Sequence, residues 1–348
     1  MKKFSKLLVS FLLGMMAFTV NATTIKDNPV PVHRPLIEEY TGTWCGWCVR
    51  GLVGMELLRQ EFGDEFIGVA YHNGDAMEIM ASSNFPSRVS GFPSAFIERT
   101  YQVDPYYGSG NTSAGILNYM KQVATLAVNA GIEVSAEWTS EDKTDIDVHV
   151  TSYFTEDESN ASYVIEVMLV ADDLYGTGSG WNQTNYYNGY TAYASDPYLG
   201  PWVKKPYTIT GYHFNDVIVG TSRSITGSLP KAIVAYELYD CDYTFTLANL
   251  PVPSLIQNKD NLRVVAIVYN TKTRKAINAN RSFIDDFVVS IPGDSDDDGN
   301  VTIADVVLTI DYIMDNETPI NLTNADVNGD GITTIADVTA IIDIILGN

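Results

Sequence analysis

Two acidic loops near the C-terminal end carry oxygen-bearing side chains at the spacing that a hard cation needs. Side-chain oxygens stand at loop positions 1, 3, 5 and 12, and glycine at position 6 permits the positive φ that folds the ligands inward. The spacing predicts two calcium sites. Their ligands are expected at Asp294, Asp296, Asp298, Asn300 and Asp305 in the first loop, and at Asp326, Asn328, Asp330, Ile332 and Asp337 in the second.

Each loop leads directly into a helical pattern, over residues 302–310 and 334–342. Neither loop has a long helical pattern before it, and position 12 is Asp rather than Glu. This arrangement resembles the dockerin module, in which two loop–helix halves pack antiparallel about a pseudo-twofold axis. The resemblance covers about residues 291–348 and implies a cohesin-like receptor as partner. The alternative, a solvated acidic tail, has no repeated apolar stripe.

A Cys-x-x-Cys sequence, Cys45 to Cys48, stands between a strand pattern at residues 35–41 and a helical pattern from Val49 to Phe62. At such a junction the helix dipole favours the thiolate of the first cysteine. Cys45 would then act as the nucleophile, and Cys48 would resolve the mixed disulfide. A plain structural disulfide and metal capture remain as alternatives.

The segment around these cysteines resembles the thioredoxin fold. A second strand is predicted at residues 66–71, and a turn containing Pro93 enters a third. In that family this proline is cis and lies against the active-site sulfurs, and a buried acid, here Glu39, assists proton transfer. Two aromatic residues, Trp47 and Phe92, depart from the family pattern and crowd the substrate face. A helix over 112–128 is expected to close the domain.

From about residue 131 the apolar period changes to two, which predicts strands. They are expected at residues 131–138, 145–151, 163–170 and 263–269, and together they indicate a β-sandwich. The tyrosine-rich stretch 181–207 either binds carbohydrate or peptide by stacking or packs over the sandwich edge. Cys241 has no evident partner, so a free buried thiol is expected.

The N-terminal residues have the composition of a signal peptide, a basic start followed by a short apolar run, with cleavage expected after Ala22. The chain of 348 residues has 21 basic and 43 acidic side chains, a net charge of −22. This charge argues against nucleic acid or an anionic membrane surface as partner. No later segment is apolar enough for a transmembrane helix. The predicted signal peptide implies an exported protein, located in the periplasm, at the outer-membrane surface or outside the cell.

These features together resemble the outer membrane protein 28-related family over about residues 30–285, a family that is exported and surface-associated in Gram-negative bacteria. The expected architecture is multidomain, with α/β, all-β and α parts. Its predicted segments are a signal peptide at 1–22, a thioredoxin-like domain at 23–130, a β-sandwich domain at 131–290 and a dockerin-like calcium-binding module at 291–348.

Two functions fit this sequence. The first is a thiol-disulfide oxidoreductase or redox-linked chaperone that acts on client thiol or disulfide proteins through Cys45 and Cys48. The second is a non-enzymatic surface binding protein or scaffold, in which the same cysteines form a structural disulfide and the C-terminal module docks to a cohesin-like partner.

Overall fold

The computed structural model describes residues 17–24, 28–223, 227–287 and 290–347, with the backbone alone for 17–24. It divides the chain into two compact units, Met1–Asp286 and Phe287–Asn348. The predicted signal peptide lies outside the described residues except for its last six, which belong to strand β1. No helix of the described chain is long and apolar enough to cross a membrane.

The strands are β1 (Ala17–Thr24), β2 (Leu36–Thr41), β3 (Ile67–His72), β4 (Ser94–Ile97), β5 (Tyr101–Val103), β6 (Ala130–Trp138), β7 (Asp145–Phe154), β8 (Tyr163–Ala171), β9 (Gln183–Thr184), β10 (Thr208–Ile209), β11 (Val217–Thr221), β12 (Gly227–Ser228), β13 (Glu237–Thr246), β14 (Leu262–Asn270) and β15 (Lys275–Phe283). The α-helices are α1 (Val49–Phe62), α2 (Gly115–Ala124), α3 (Gly200–Val203), α4 (Ile303–Asp315), α5 (Leu322–Ala325) and α6 (Ile335–Leu346).

The first unit is a mixed α/β structure built on one large sheet. Its strand order is β15-β14-β8-β11-β3-β2-β4-β5, and β12 adds to β8. Strands β2 and β3 run parallel, whereas β4 is antiparallel to β2. Every residue of β2 and β3 is buried, as expected for parallel strands that are covered on both faces. The carboxyl end of β2 leads directly to the two cysteines.

A four-stranded sheet, in the order β1-β13-β7-β6, packs against part of the large sheet. One apolar cluster contains Val148 and Cys241 from the smaller sheet together with Val167 and Ala266 from the larger one. Strand β7 alternates buried and more exposed residues, because only one of its faces meets this core. The apolar residues of the sequence recur with a period of two in this region because every second side chain of such a strand faces the core.

Strands from both sides of residue 130 belong to the large sheet. Strand β11 pairs in parallel with β3 and antiparallel with β8. The predicted division of this unit into domains at 23–130 and 131–290 therefore runs through a continuous sheet, and it stays a prediction. The second unit begins at Phe287, close to residue 291, where the dockerin-like module is predicted to start.

Helix α1 has the bounds expected from the sequence, whereas the helix predicted over 112–128 is shorter. It begins at Gly115, because Ala114 has a left-handed φ of 52° and cannot continue a regular helical turn. A Cβ on Gly115 would lie 2.4 Å from the Tyr107 carbonyl oxygen, so a glycine is needed where the chain turns. The helix ends at Ala124, and Thr125 follows as its C-terminal cap.

The second unit consists of three helices around a small apolar core. Val306 on α4 packs with Val338 and Ile341 on α6. Each long helix begins with a capping box, Thr302 with Asp305 in α4 and the equivalent pair in α6. A capping box satisfies the backbone N–H groups that a helix start leaves free. The repeated Thr-Ile-Ala-Asp sequence therefore defines both helix starts.

Candidate functional site

The two cysteines form a disulfide in the turn between β2 and α1. Their Cα atoms are 5.3 Å apart. A single turn of 3-10 helix, Gly46–Cys48, joins the strand to α1, and the Cys48 amide donates to the Cys45 carbonyl oxygen. Cys45 is 6% exposed and Cys48 is fully buried. Both cysteines are thus buried, and Cys45 is slightly the more exposed of the two.

The loop that contains Pro93 lies at the same end of the sheet. The Phe92–Pro93 peptide bond is cis, and Ser94 begins β4 opposite Tyr40 of β2. The rings of Trp44 and Phe92 meet edge to face with centroids 5.6 Å apart. Pairing of β4 with β2 therefore brings the Pro93 loop beside the residue that precedes Cys45.

Glu39 is buried in β2 and faces α1. A Cβ on Gly51 would lie 1.7 Å from Glu39 Oε1, so the carboxyl group reaches the helix three residues after Cys48. This Oε1 atom has no hydrogen-bond partner within the described part of the chain. Burial, followed by the charge of Asp216, raises the pKa of Glu39 from 4.5 to about 8. Glu39 therefore carries its proton at neutral pH.

Residues 183–190, here called the aromatic strap, cover the disulfide turn. The Thr184 amide donates to the Thr43 carbonyl oxygen at 2.7 Å, and the Tyr186 amide donates to that of Gly46 at 3.2 Å. The buried side chain of Gln183 donates from Nε2 to the Cys45 carbonyl oxygen at 3.0 Å. Three hydrogen bonds thus join the strap to the backbone of the turn.

Aromatic rings complete this cover. Trp47 contacts Tyr186, Tyr187 and Tyr190, with ring centroids 5.4 to 6.1 Å apart. A Cβ on Gly46 would lie 2.1 Å from the Tyr186 ring, so only a glycine fits there. Tyr186, Tyr187 and Tyr190 therefore pack on the disulfide turn, whereas Trp181, at the start of the tyrosine-rich stretch, packs against the apolar cluster between the two sheets. The high density of tyrosine in the sequence was the signal for this cover.

A second loop, which follows β3, also holds the turn. Asp75 accepts a hydrogen bond from the Thr43 amide at 2.8 Å and pairs with the buried His72 at 2.7 Å. The Trp44 indole donates to the Asn73 carbonyl oxygen at 2.6 Å. No sequence pattern indicates the bonds to Thr43 and Trp44, because they join residues about thirty positions apart. Together with the strap they fix the backbone on both sides of Cys45.

The third cysteine takes no part in this site. Cys241 lies in β13, is fully buried and forms no disulfide. Burial, followed by the charge of Asp242, raises the pKa of its thiol to about 12. The thiol therefore stays protonated and unreactive, as expected for a small side chain used for packing.

In the second unit, the first acidic loop brings its carboxylates together. Oxygen atoms of Asp294, Asp296 and Asp305 lie within 4.8 Å of one another. Gly299 has a φ of 85°, and its amide donates to Asp294 at 2.9 Å. A hard divalent cation suits this all-oxygen set, which repels itself when empty. Calcium therefore fits the first loop, with Asp298 and Asn300 as the remaining predicted ligands on the same turn.

The second loop repeats the backbone of the first. Gly331 has a φ of 86°, and its amide donates to Asp326 at 2.8 Å. Asn328 lies at position 3, where the first loop has a carboxylate, and Asp330 and Ile332 follow in the predicted positions. Asp337 is buried at the start of α6 and accepts from the Thr334 amide. The second loop therefore has one fewer charge at position 3 but the same shape.

Comparison with known families matches both parts of the chain. The family model of outer membrane protein Omp28 matches residues 82–286, and that of the dockerin type I domain matches residues 292–346. The Omp28 match begins after Cys45 and Cys48, so it does not itself cover the disulfide. No curated protein sequence matches the chain.

Two solved structures from Porphyromonas gingivalis are similar to the chain. HBP35 has a TM-score of 0.51 at 13% identity, over 75% of this chain and 81% of its own. A domain of the outer membrane lipoprotein Omp28 has a TM-score of 0.27 at 16% identity, over 46% and 92%. The first supports the fold alone. Both family matches agree with an exported, cell-surface protein, and dockerin domains bind cohesins and generally bind calcium.

The Omp28 match spans more than half of the chain, and it confirms the resemblance drawn from the sequence. The chain belongs to the outer membrane protein Omp28 family and ends in a dockerin type I domain.

Proposed function

We propose that this protein carries out thiol-disulfide exchange at Cys45 and Cys48 on the cell surface or in the periplasm, and that its dockerin domain attaches it to a cohesin-like receptor. The observation that supports this function is the disulfide at a strand-to-helix junction beside the Pro93 loop. The buried, protonated Glu39 lies on the preceding strand and reaches helix α1 at Gly51. Perturbed carboxyl groups of this kind are frequent at functional sites.

The strand arrangement supports a thioredoxin-like interpretation of the disulfide region. Strand β2 precedes the cysteines and lies between the parallel β3 and the antiparallel β4, and β5 forms a hairpin with β4. Helix α1 follows the cysteines and packs on this sheet. In this interpretation Pro93 shapes the face on which the substrate sulfur approaches Cys45.

The exchange proceeds in two steps. A substrate thiolate attacks Sγ of Cys45, the Cys45–Cys48 bond breaks, and Cys48 leaves as a thiolate that Glu39 protonates. A second substrate thiolate then attacks the substrate sulfur of the mixed disulfide, and Cys45 leaves. Two substrate thiols become one disulfide, and the protein disulfide gains two electrons. The reverse sequence reduces a substrate disulfide.

Turnover of a small substrate tests this function. The rate at which dithiothreitol reduces a fluorogenic peptide disulfide is measured with the full-length protein and with Cys45→Ser, after subtraction of the uncatalysed rate. Catalysis is expected to disappear in the variant. Cys241→Ser, which makes the same chemical change at a buried thiol outside the site, is expected to retain it. Equal rates for the protein and Cys45→Ser would refute the function.

A second function, a non-enzymatic binding protein or scaffold, is favoured by the low exposure of both cysteine residues. In that case Cys45 and Cys48 form a structural disulfide, and it stays oxidised in mild reductant. Thiol alkylation after equilibration with glutathione buffers distinguishes the two functions, because only an exchanging pair becomes alkylated.

For docking, we propose that both acidic loops bind calcium and that α4 and α6 present equivalent surfaces to the receptor. Ile303 and Ile335 are about two-thirds exposed at the starts of the two helices, each followed by an exposed alanine. When bound, calcium would neutralise the carboxylates and hold each loop against its helix. Ala304→Arg or Ala336→Arg alone should weaken cohesin binding little, and the double variant severely. A severe loss from one single variant would contradict equivalent docking surfaces on α4 and α6.

A further inference from the structure

We propose that the aromatic strap restricts the Cys45–Cys48 disulfide to low-molecular-weight thiols and disulfides, including short peptides, and that the Tyr186 ring is the part that excludes folded protein partners. This inference rests on the proposed exchange function and names its substrate class. It assigns a specificity role to a segment that lies about 140 residues after the cysteines.

The first argument is the position of the strap. It comes from a distant part of the chain, yet its backbone bonds to both sides of Cys45, at Thr43 and at Gly46. The Tyr186 ring lies against Gly46, the residue between the reactive cysteine and Trp47. Before Cys45, the Trp44 ring meets Phe92 edge to face. Aromatic rings therefore lie against the residues on both sides of Cys45 in the sequence.

The second argument is that the strap is held in place from behind. Asn185 is fully buried, and its amide group donates to the Trp202 carbonyl oxygen at 2.9 Å, while its Oδ1 accepts from the Tyr187 amide. Beyond the strap, Asp196 accepts hydrogen bonds from Tyr106 and Ser113. Side chains that are locked by buried hydrogen bonds keep a site in one geometry. The cover over Cys45 is therefore a fixed part of the fold.

The third argument is steric. Exchange requires the attacking sulfur to approach Cys45 Sγ along the line of the Cys45–Cys48 bond. Only 6% of Cys45 is exposed, and the Tyr186 ring lies against its neighbour Gly46. In the proposed arrangement a small thiol passes this ring, whereas a cysteine on a folded surface brings neighbouring atoms that collide with it. Tyr186 itself is 44% exposed, so its ring can be removed without opening a cavity in the core.

The test compares two reductants on the oxidised, full-length protein. Dithiothreitol serves as the small dithiol and reduced thioredoxin as the folded protein dithiol. In each case two reductant thiols become a disulfide while Cys45 and Cys48 gain two electrons and two protons. Reduction is followed by acid quench, alkylation and mass spectrometry. The variants are Tyr186→Ala, Tyr186→Phe, which keeps the ring, and Tyr198→Ala, which removes an exposed tyrosine outside the strap.

The expected result is a rise of about tenfold in the thioredoxin rate of Tyr186→Ala, which corresponds to about 1.4 kcal/mol in the barrier, with little change in the dithiothreitol rate. Tyr186→Phe and Tyr198→Ala should behave as the unaltered protein. The ratio of the thioredoxin rate to the dithiothreitol rate is the deciding quantity. If it is the same in Tyr186→Ala and in the unaltered protein, the strap has no such role, and the exchange function stays intact. Failure of dithiothreitol to reduce the native disulfide would overturn both.

Discussion

Replacing Glu39 by glutamine should remove a pH-dependent loss of stability from the first unit. The pKa of Glu39 is raised from 4.5 to about 8, so the folded state holds this proton more tightly than the unfolded chain does. Below pH 4.5 both states are protonated and the group has no effect. Between pH 4.5 and 8 only the unfolded chain releases the proton, so the free energy of unfolding falls as pH rises. Above pH 8 the loss is complete and amounts to roughly 5 kcal/mol.

The assay is urea unfolding at a series of pH values between 4.5 and 8.5, followed by tryptophan fluorescence. The five tryptophans all lie before residue 203, so the signal reports the first unit alone. The advantage of Glu39→Gln over the unaltered protein should grow by up to about 1.4 kcal/mol per pH unit across this range. Glu65→Gln makes the same change at an exposed side chain and should show no such growth. If the difference in free energy of unfolding between Glu39→Gln and the unaltered protein stays constant with pH, the Glu39 carboxyl is not buried and protonated as described.

Three further changes test other parts of the structure. Arg99→Met leaves the buried carboxylates of Glu38 and Glu166 without their guanidinium partner. It should lower the free energy of unfolding by about 3–5 kcal/mol. A loss below about 1 kcal/mol in urea unfolding would contradict the buried ion pairs. Gly46→Ala forces a methyl group against the Tyr186 ring and should cost about 1–3 kcal/mol in the same assay, whereas Gly91→Ala, which meets no atom within 4 Å, should cost less. Asp294→Asn should weaken calcium binding in calorimetry, and chelation of the full chain should lower the helical circular dichroism signal; an unchanged signal would argue against calcium-dependent folding of the second unit.

Local patterns in the sequence predicted the elements that local physics determines. The bounds of α1 follow from the helical pattern after Cys48, and the acidic loops follow from ligand spacing and two glycines. The helix predicted over 112–128 was too long at both ends, because the left-handed Ala114 depends on how the chain turns against Tyr107. Apolar periodicity carries no information about such contacts.

The parts that sequence reasoning missed are all non-local. Strands β11 and β13 were not predicted, and β11 joins the large sheet between β3 and β8. Its pairing depends on which strand edge is free, and this is a property of the folded chain. The strap was equally hidden, since Gln183 and Tyr186 bond to residues about 140 positions earlier. Glu39 could be named only because the family resemblance pointed to it, and its raised pKa required the structure.

The long sequence separation between the cysteines and the strap has a consequence for how the protein is made. Chains fold from the N-terminal end as they are synthesised. Cys45 therefore emerges 138 residues before Gln183, the first strap residue, which bonds to its carbonyl oxygen. During that interval the turn lacks the three hydrogen bonds from the strap. The order of residues along the chain therefore lets the two cysteines pair before the strap covers them.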